Sequence, residues 1–187
     1  MLLLAESSPR PRARITGVVY LLYFLTAVLA QFFVSRKQVG YGDAVNGIAF
    51  ALYIVLTLLF YSMFKSVNRL LSLIAAFFSL AGCAVGLLGL FPRTSLPINP
   101  LWFFGPYCLL IGTLILRSTF LPQLIGWLMV LAGLGWLAFL SPPVARHLSL
   151  PIEVIGTVAE ASLMLWLVVT GVNVERWNEQ ASTVCEG

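Results

Sequence analysis

The stretch EVIGTVAE, residues 153–160, carries two carboxyl groups with a glycine and a threonine between them. In a helix Glu153, Gly156, Thr157 and Glu160 fall at i, i+3, i+4 and i+7. They therefore share one face, with the carboxyls about 10 Å apart along the axis. The surrounding run is long and apolar enough to cross a bilayer. Glu153 then lies near the headgroups, and Glu160 about 12 Å deeper, a little short of mid-bilayer. An ionised carboxylate at that depth costs about 2.5–3.5 kcal/mol on insertion scales unless it is paired or hydrated. No lysine or arginine falls inside an apolar run. Glu160 has three options: to hold a proton, to accept hydrogen bonds from polar side chains, or to face a wet cavity.

Other polar residues inside the apolar runs fall in the same half of the bilayer on the expected topology. Gln31 ends the first run, Asn46 and Tyr53 are two turns apart in the second, and Tyr107 follows a proline in the fourth. With Glu153, Thr157 and Glu160, the residues Asn46, Tyr53 and Tyr107 are the candidate lining of a polar pocket open to the outside. The same groups can instead form an internal hydrogen-bond network that fixes helix rotation without any ligand.

The elements that must position these groups are legible in the composition. Of 187 residues, 60% are hydrophobic and 10% charged, with a mean hydropathy of +0.97. These values place the chain among integral membrane proteins and outside the range of soluble domains. The expected fold is all-α, a bundle of six transmembrane helices over residues 15–34, 44–64, 70–91, 101–116, 122–140 and 152–172. Basic tail residues precede it (1–13), and a polar tail follows (178–187), with an interfacial turn around Trp177. Asp43, Asn68 and the pair Asn99-Pro100 read as helix starts, as do Pro122 and Pro151. The segments FPRTSLPINP and SPPVARHLSLP read as proline-restricted outer loops.

The net charge of +4 comes from basic residues placed almost entirely between apolar runs, which excludes a nucleic-acid surface and points to topology. With the N-terminus inside, Arg10, Arg12, Arg14, Lys65, Arg69, Arg117 and Arg176 are cytoplasmic, against Arg36, Lys37, Arg93 and Arg146 outside. Both termini are therefore expected in the cytoplasm. A secretory signal over residues 10–30 is the rival reading, opposed by an apolar stretch that runs on through Val34.

Small residues recur at helical spacing. Ser72, Ala75, Ser79, Gly82, Gly86 and Gly89 step by three and four along one stripe, and Gly126 and Gly133 stand seven apart in the fifth span. Such faces let neighbouring backbones approach closely in lipid, either inside one chain or across a homodimer seam. Trp127 and Trp136, toward the two ends of the fifth span, read as interfacial anchors. Pro106 is expected to bend the fourth helix.

Catalytic inventories are poor. Cys83, Cys108 and Cys185 have no metal-ligand spacing, and His147 is the single histidine, placed beside Arg146. A serine mechanism lacks a base, and two carboxyls on one helix do not converge as an acid–base pair does. The expectation is a non-enzyme with no metal and no cofactor.

The run LILRSTFLPQLIGWLMVLAGLGWL, with GDAVNGIAFALYIVLTLLFYSMFKSVNR before it and LMLWLVVTGVNVERW after it, resembles the bacterial membrane family called domain of unknown function 4386. The resemblance extends from Arg14 to Trp177, and its most specific piece is Arg117-Ser118, Leu121-Pro122 and Gly126. It implies a multi-helix protein of the bacterial cytoplasmic (inner) membrane and supplies no activity. Two functions follow from the residues. One is binding or moving a small ligand, lipid or proton through the pocket around Glu160. The alternative is a structural or assembly protein that packs through its small-residue faces. The expected partners are membrane lipids, a second copy of the chain in a homo-oligomer, and a small-molecule or lipid ligand, with no nucleic acid.

Overall fold

The structure, a computed structural model, describes residues 9–91 and 98–185. Arg93 and most of the loop after the third helix lie outside the described residues. The described chain is helical throughout: α1 (Pro9–Ser35), α2 (Val39–Phe64), α3 (Arg69–Gly89), α4 (Leu101–Arg117), α5 (Gln123–Leu137, extended by a 3-10 turn to Leu140), α6 (Pro142–Val169) and α7 (Val174–Cys185). Five of these are long and apolar enough to cross a membrane, counting α5 with its 3-10 turn, and α4 is a shorter apolar helix. The chain is a multi-pass, all-helical membrane protein.

Each of the first five helices packs on the next, and α6 returns to pack on α1. The bundle is thus a ring wound in sequence order. The end where α1 begins, and where α7 lies, is called lower, and the opposite end upper. Two seams show how the ring is held. Antiparallel α4 and α5 meet through glycines: a Cβ on Gly112 would lie 2.9 Å from the Gly126 carbonyl oxygen, and one on Gly133 would lie 3.0 Å from that of Gly105. At the closing seam, a Cβ on Gly17 of α1 would lie 2.6 Å from the Val168 backbone nitrogen of α6. Backbones in lipid gain dispersion and dipolar contact only where such residues let them approach.

The lower half of the ring axis is filled. Leu56, Phe60, Phe64, Leu114, Ile115, Leu163 and Leu167 are buried there. The small-residue stripe of α3 turns inward as well: Ser72, Ala75, Ser79 and Gly86 are buried. Ser79 shares a 2.5 Å hydrogen bond with Thr57 of α2, and Gly86 makes room for the Phe50 ring. Among the described residues, nothing lies within 4 Å of a Cβ on Gly89. Thr16, Thr26, Thr113 and Ser162 bond back to the carbonyl four residues earlier, which spares their hydroxyls from lipid.

Several helix boundaries differ from the sequence reading. α6 begins at Pro142, so SPPVARHLSLP is mostly helix, and Pro151 is an interior proline. The SPP start explains this, because Pro142 occupies the first helical position, where a missing N–H costs nothing. His147 is consequently helical and exposed. α2 starts at Val39 after a tight turn in which Lys37 takes φ 60°, which leaves Asp43 a turn inside the helix rather than at its cap. Asn68 does cap α3, accepting from the Leu71 N–H at 2.9 Å. Beyond Gly171, whose φ of +73° ends α6, the tail is helical to Cys185. α7 clasps the α4–α5 turn: Gln180 Nε2 donates to the Arg117 carbonyl at 3.0 Å, and the Phe120 and Trp177 ring centroids are 4.5 Å apart.

Gly112→Leu should cost about 1–3 kcal/mol through overpacking at the α4–α5 seam. Gly89→Leu, with nothing near its Cβ, should stay within about 0.5 kcal/mol. Thermal unfolding of the two variants in one detergent checks the contrast.

Candidate functional site

Above the filled half, the ring axis is open. A cavity of about 550 Å³ lies there, lined by residues from all six spanning helices. Seven of the nineteen described lining residues are aromatic. The Tyr23 and Tyr53 ring centroids stand 4.7 Å apart, Tyr53 and Phe104 6.1 Å, and Phe104 and Trp136 5.5 Å.

Glu160 is the lowest residue that α6 contributes to this lining, and it is 7% exposed. The Tyr20 hydroxyl donates to its Oε2 at 3.0 Å. Its Oε1 has no hydrogen-bond partner among the described residues. Tyr20 sits on α1 one turn above Gly17, so the backbone contact that closes the ring also brings the phenol to the carboxyl. One neutral hydrogen bond offsets only part of the desolvation of a carboxylate.

Two side chains of the lining each carry a polar atom that is itself buried and has no hydrogen-bond partner among the described residues: the Tyr53 hydroxyl and the Trp136 indole nitrogen. Buried donors of this kind usually have a protein or water acceptor. Trp136 was expected at an interface, but the structure turns it inward at 9% exposure, while Trp127 is 62% exposed. Gly156 is the cause. A Cβ there would lie 2.6 Å from the indole ring, so the missing side chain on α6 is the seat of Trp136.

The candidate residues divide. Glu160, Thr157, Asn46 and Tyr53 line the cavity together, as do Gln31 and the stripe residues Ser79 and Gly82. Tyr107 does not. It is buried behind the wall, its ring 6.0 Å from Tyr53 and 5.9 Å from Phe104. Glu153 is exposed and outside the lining, because the upper part of α6 is uncovered on that side. Tyr20, Tyr23 and Trp136 escaped the sequence reading. A tyrosine four positions beyond Thr16 on the same face of α1 was the available signal for Tyr20.

The uncovered side has a definite geometry. Ala13 and Gly17 of α1 are buried, and so is Met164 of α6. Higher up, the facing residues Val28 and Gln31 on α1 and Thr157 on α6 are exposed, although all three line the cavity. α1 and α6 therefore touch low and part above, leaving a lateral slot that connects the cavity to the flank of the bundle. Val28 is 59% exposed within an 18-residue apolar stretch, so this flank is one that lipid covers.

Residues 98–171 match the family model described as Domain of unknown function (DUF4386). No curated protein and no solved structure matches the chain. The matched stretch holds α4, α5 and α6, and with them Phe104, Trp136, Thr157, Glu160 and the Arg117-Ser118 turn. α1 to α3 supply the remaining cavity wall.

Gly156→Val should drive the Trp136 indole from its seat at a cost of about 1–3 kcal/mol. In a chain whose other four tryptophans, Trp102, Trp127, Trp166 and Trp177, are phenylalanine, the check is increased quenching of Trp136 emission by acrylamide.

Proposed function

We propose that this protein binds a small amphiphile inside the ring, with Glu160 as the polar anchor and the aromatic wall holding the apolar part. The observation that carries this reading is the cavity itself. It falls within the size range of small-molecule sites, is mostly apolar, and ends on a few convergent polar groups. The slot between α1 and α6 favours a ligand that arrives from the lipid phase. The reading is one of binding, not catalysis, because Glu153 is exposed outside the cavity and leaves Glu160 without a second acid.

The bacterial inner membrane and the orientation complete the proposal. Arg10, Arg12, Arg14, Lys65, Arg69, Arg117 and Arg176 all lie at the lower end of the ring, beside α7 or the lower turns. By the positive-inside rule that end is cytoplasmic, and the cavity then occupies the outer half of the membrane.

Ala27 lines the cavity from α1, and Ala27→Phe should fill part of it. Native mass spectrometry of the nanodisc-reconstituted chain should find a retained small amphiphile on the wild type and at least about tenfold less on this variant, at unchanged helicity. Equal retention on both would overturn the cavity reading. For orientation, a membrane-impermeant maleimide applied to intact cells should label a cysteine introduced at Ser35 and spare one at Ser66. The reverse pattern would invert the topology.

A further inference from the structure

We infer that the occupant carries a compact cationic head, an organic ammonium group, held by Glu160 against aromatic ring faces. This rests on the binding reading above and adds the charge of the ligand. Among the described residues the charge inventory of the wall is one-sided: Glu160 is the only acidic residue that lines it, and no described lysine, arginine or histidine does. An anionic head would meet a carboxyl with no counter-charge to offset its own desolvation. A neutral head supplies no charge to offset that of Glu160, which must then hold a proton or stay ionised at a depth where that costs several kcal/mol.

An ammonium answers both constraints. Its N–H groups can donate to Oε1, the carboxyl oxygen that Tyr20 leaves free, in a charge-assisted hydrogen bond. The aromatic rings that line the cavity, Tyr23, Tyr53, Phe104 and Trp136, can supply the quadrupole attraction by which aromatic walls accept cations that have lost their water. Tyr20 also has a part: by fixing Oε2 it orients the carboxyl and makes it a positioning partner's acceptor on one side and the ligand's on the other.

Three probes that share a phenyl ring and a short chain and differ in head charge test this: 2-phenylethylammonium, 2-phenylethanol and phenylacetate. Equilibrium binding is measured on the full chain in nanodiscs of neutral lipid. 2-Phenylethylammonium should bind at least about tenfold tighter than the alcohol, with phenylacetate the weakest. Glu160→Gln should erase that preference, bringing 2-phenylethylammonium to within about twofold of 2-phenylethanol on the same variant. Tyr20→Phe, which keeps the carboxyl, should retain it, so the proposal stays testable if Glu160→Gln does not accumulate. An alcohol that binds as tightly as the ammonium, or a tightest phenylacetate, would overturn the cationic head and leave the cavity reading standing. Binding of none of the three to the wild type would overturn both.

Discussion

Helices arranged in a ring must fill their axis or leave it open, and this chain does one in each half. In the lower half, phenylalanines and branched aliphatic side chains from several helices meet at the centre. In the upper half, the corresponding positions are small, such as Ala27, Ala49, Ser79 and Gly82, or are aromatic side chains that pack on one another along the wall and leave the axis open. The cavity is thus a consequence of side-chain volume at fixed backbone spacing. That spacing is set in turn by the glycine seams at α4–α5 and α1–α6.

Glu160 sits at the boundary between the two halves. Below it, Phe60 stands edge-on to Tyr20, their centroids 5.7 Å apart. Above it is open space. The aromatic contacts continue downward through Phe64 and Phe120 to Trp177, each ring centroid within 6.3 Å of the next. One column of rings therefore joins the cavity floor to the surface helix α7. It gives the carboxyl a rigid support that a floor of flexible aliphatic side chains would not.

Much of this architecture can be read from residue types alone, because a bilayer leaves few choices. An apolar run of about 20 residues must be a helix, and the intramembrane carboxyl, Asn46, Tyr53 and Thr157 mark one region. What could not be read were the features decided between helices. Trp136 looks like an interfacial anchor until Gly156 is known to lie against it. Glu153 shares a helical face with Glu160, but the parting of α1 from α6 leaves it outside the wall. Pro151 resembles a helix start, but Pro142 on the same helix satisfies the same rule earlier, and α6 begins there. Gly17 has no stripe around it, and its importance lies wholly in what α6 brings to it.

The closing seam also sets an order of events during synthesis. Tyr20 and Glu160 are 140 residues apart in sequence, and α6 is the last spanning helix to emerge. α1 to α5 must therefore insert as an open arc whose two edges wait for a common neighbour, and Glu160 must enter the membrane before its phenol is in place. Ring closure, cavity formation and the settling of the carboxyl become a single late step. A chain that stalls before α6 would expose the lipid-soluble edges of the arc together with the bare Gly17 groove, the form of this protein that a membrane quality-control protease would meet first.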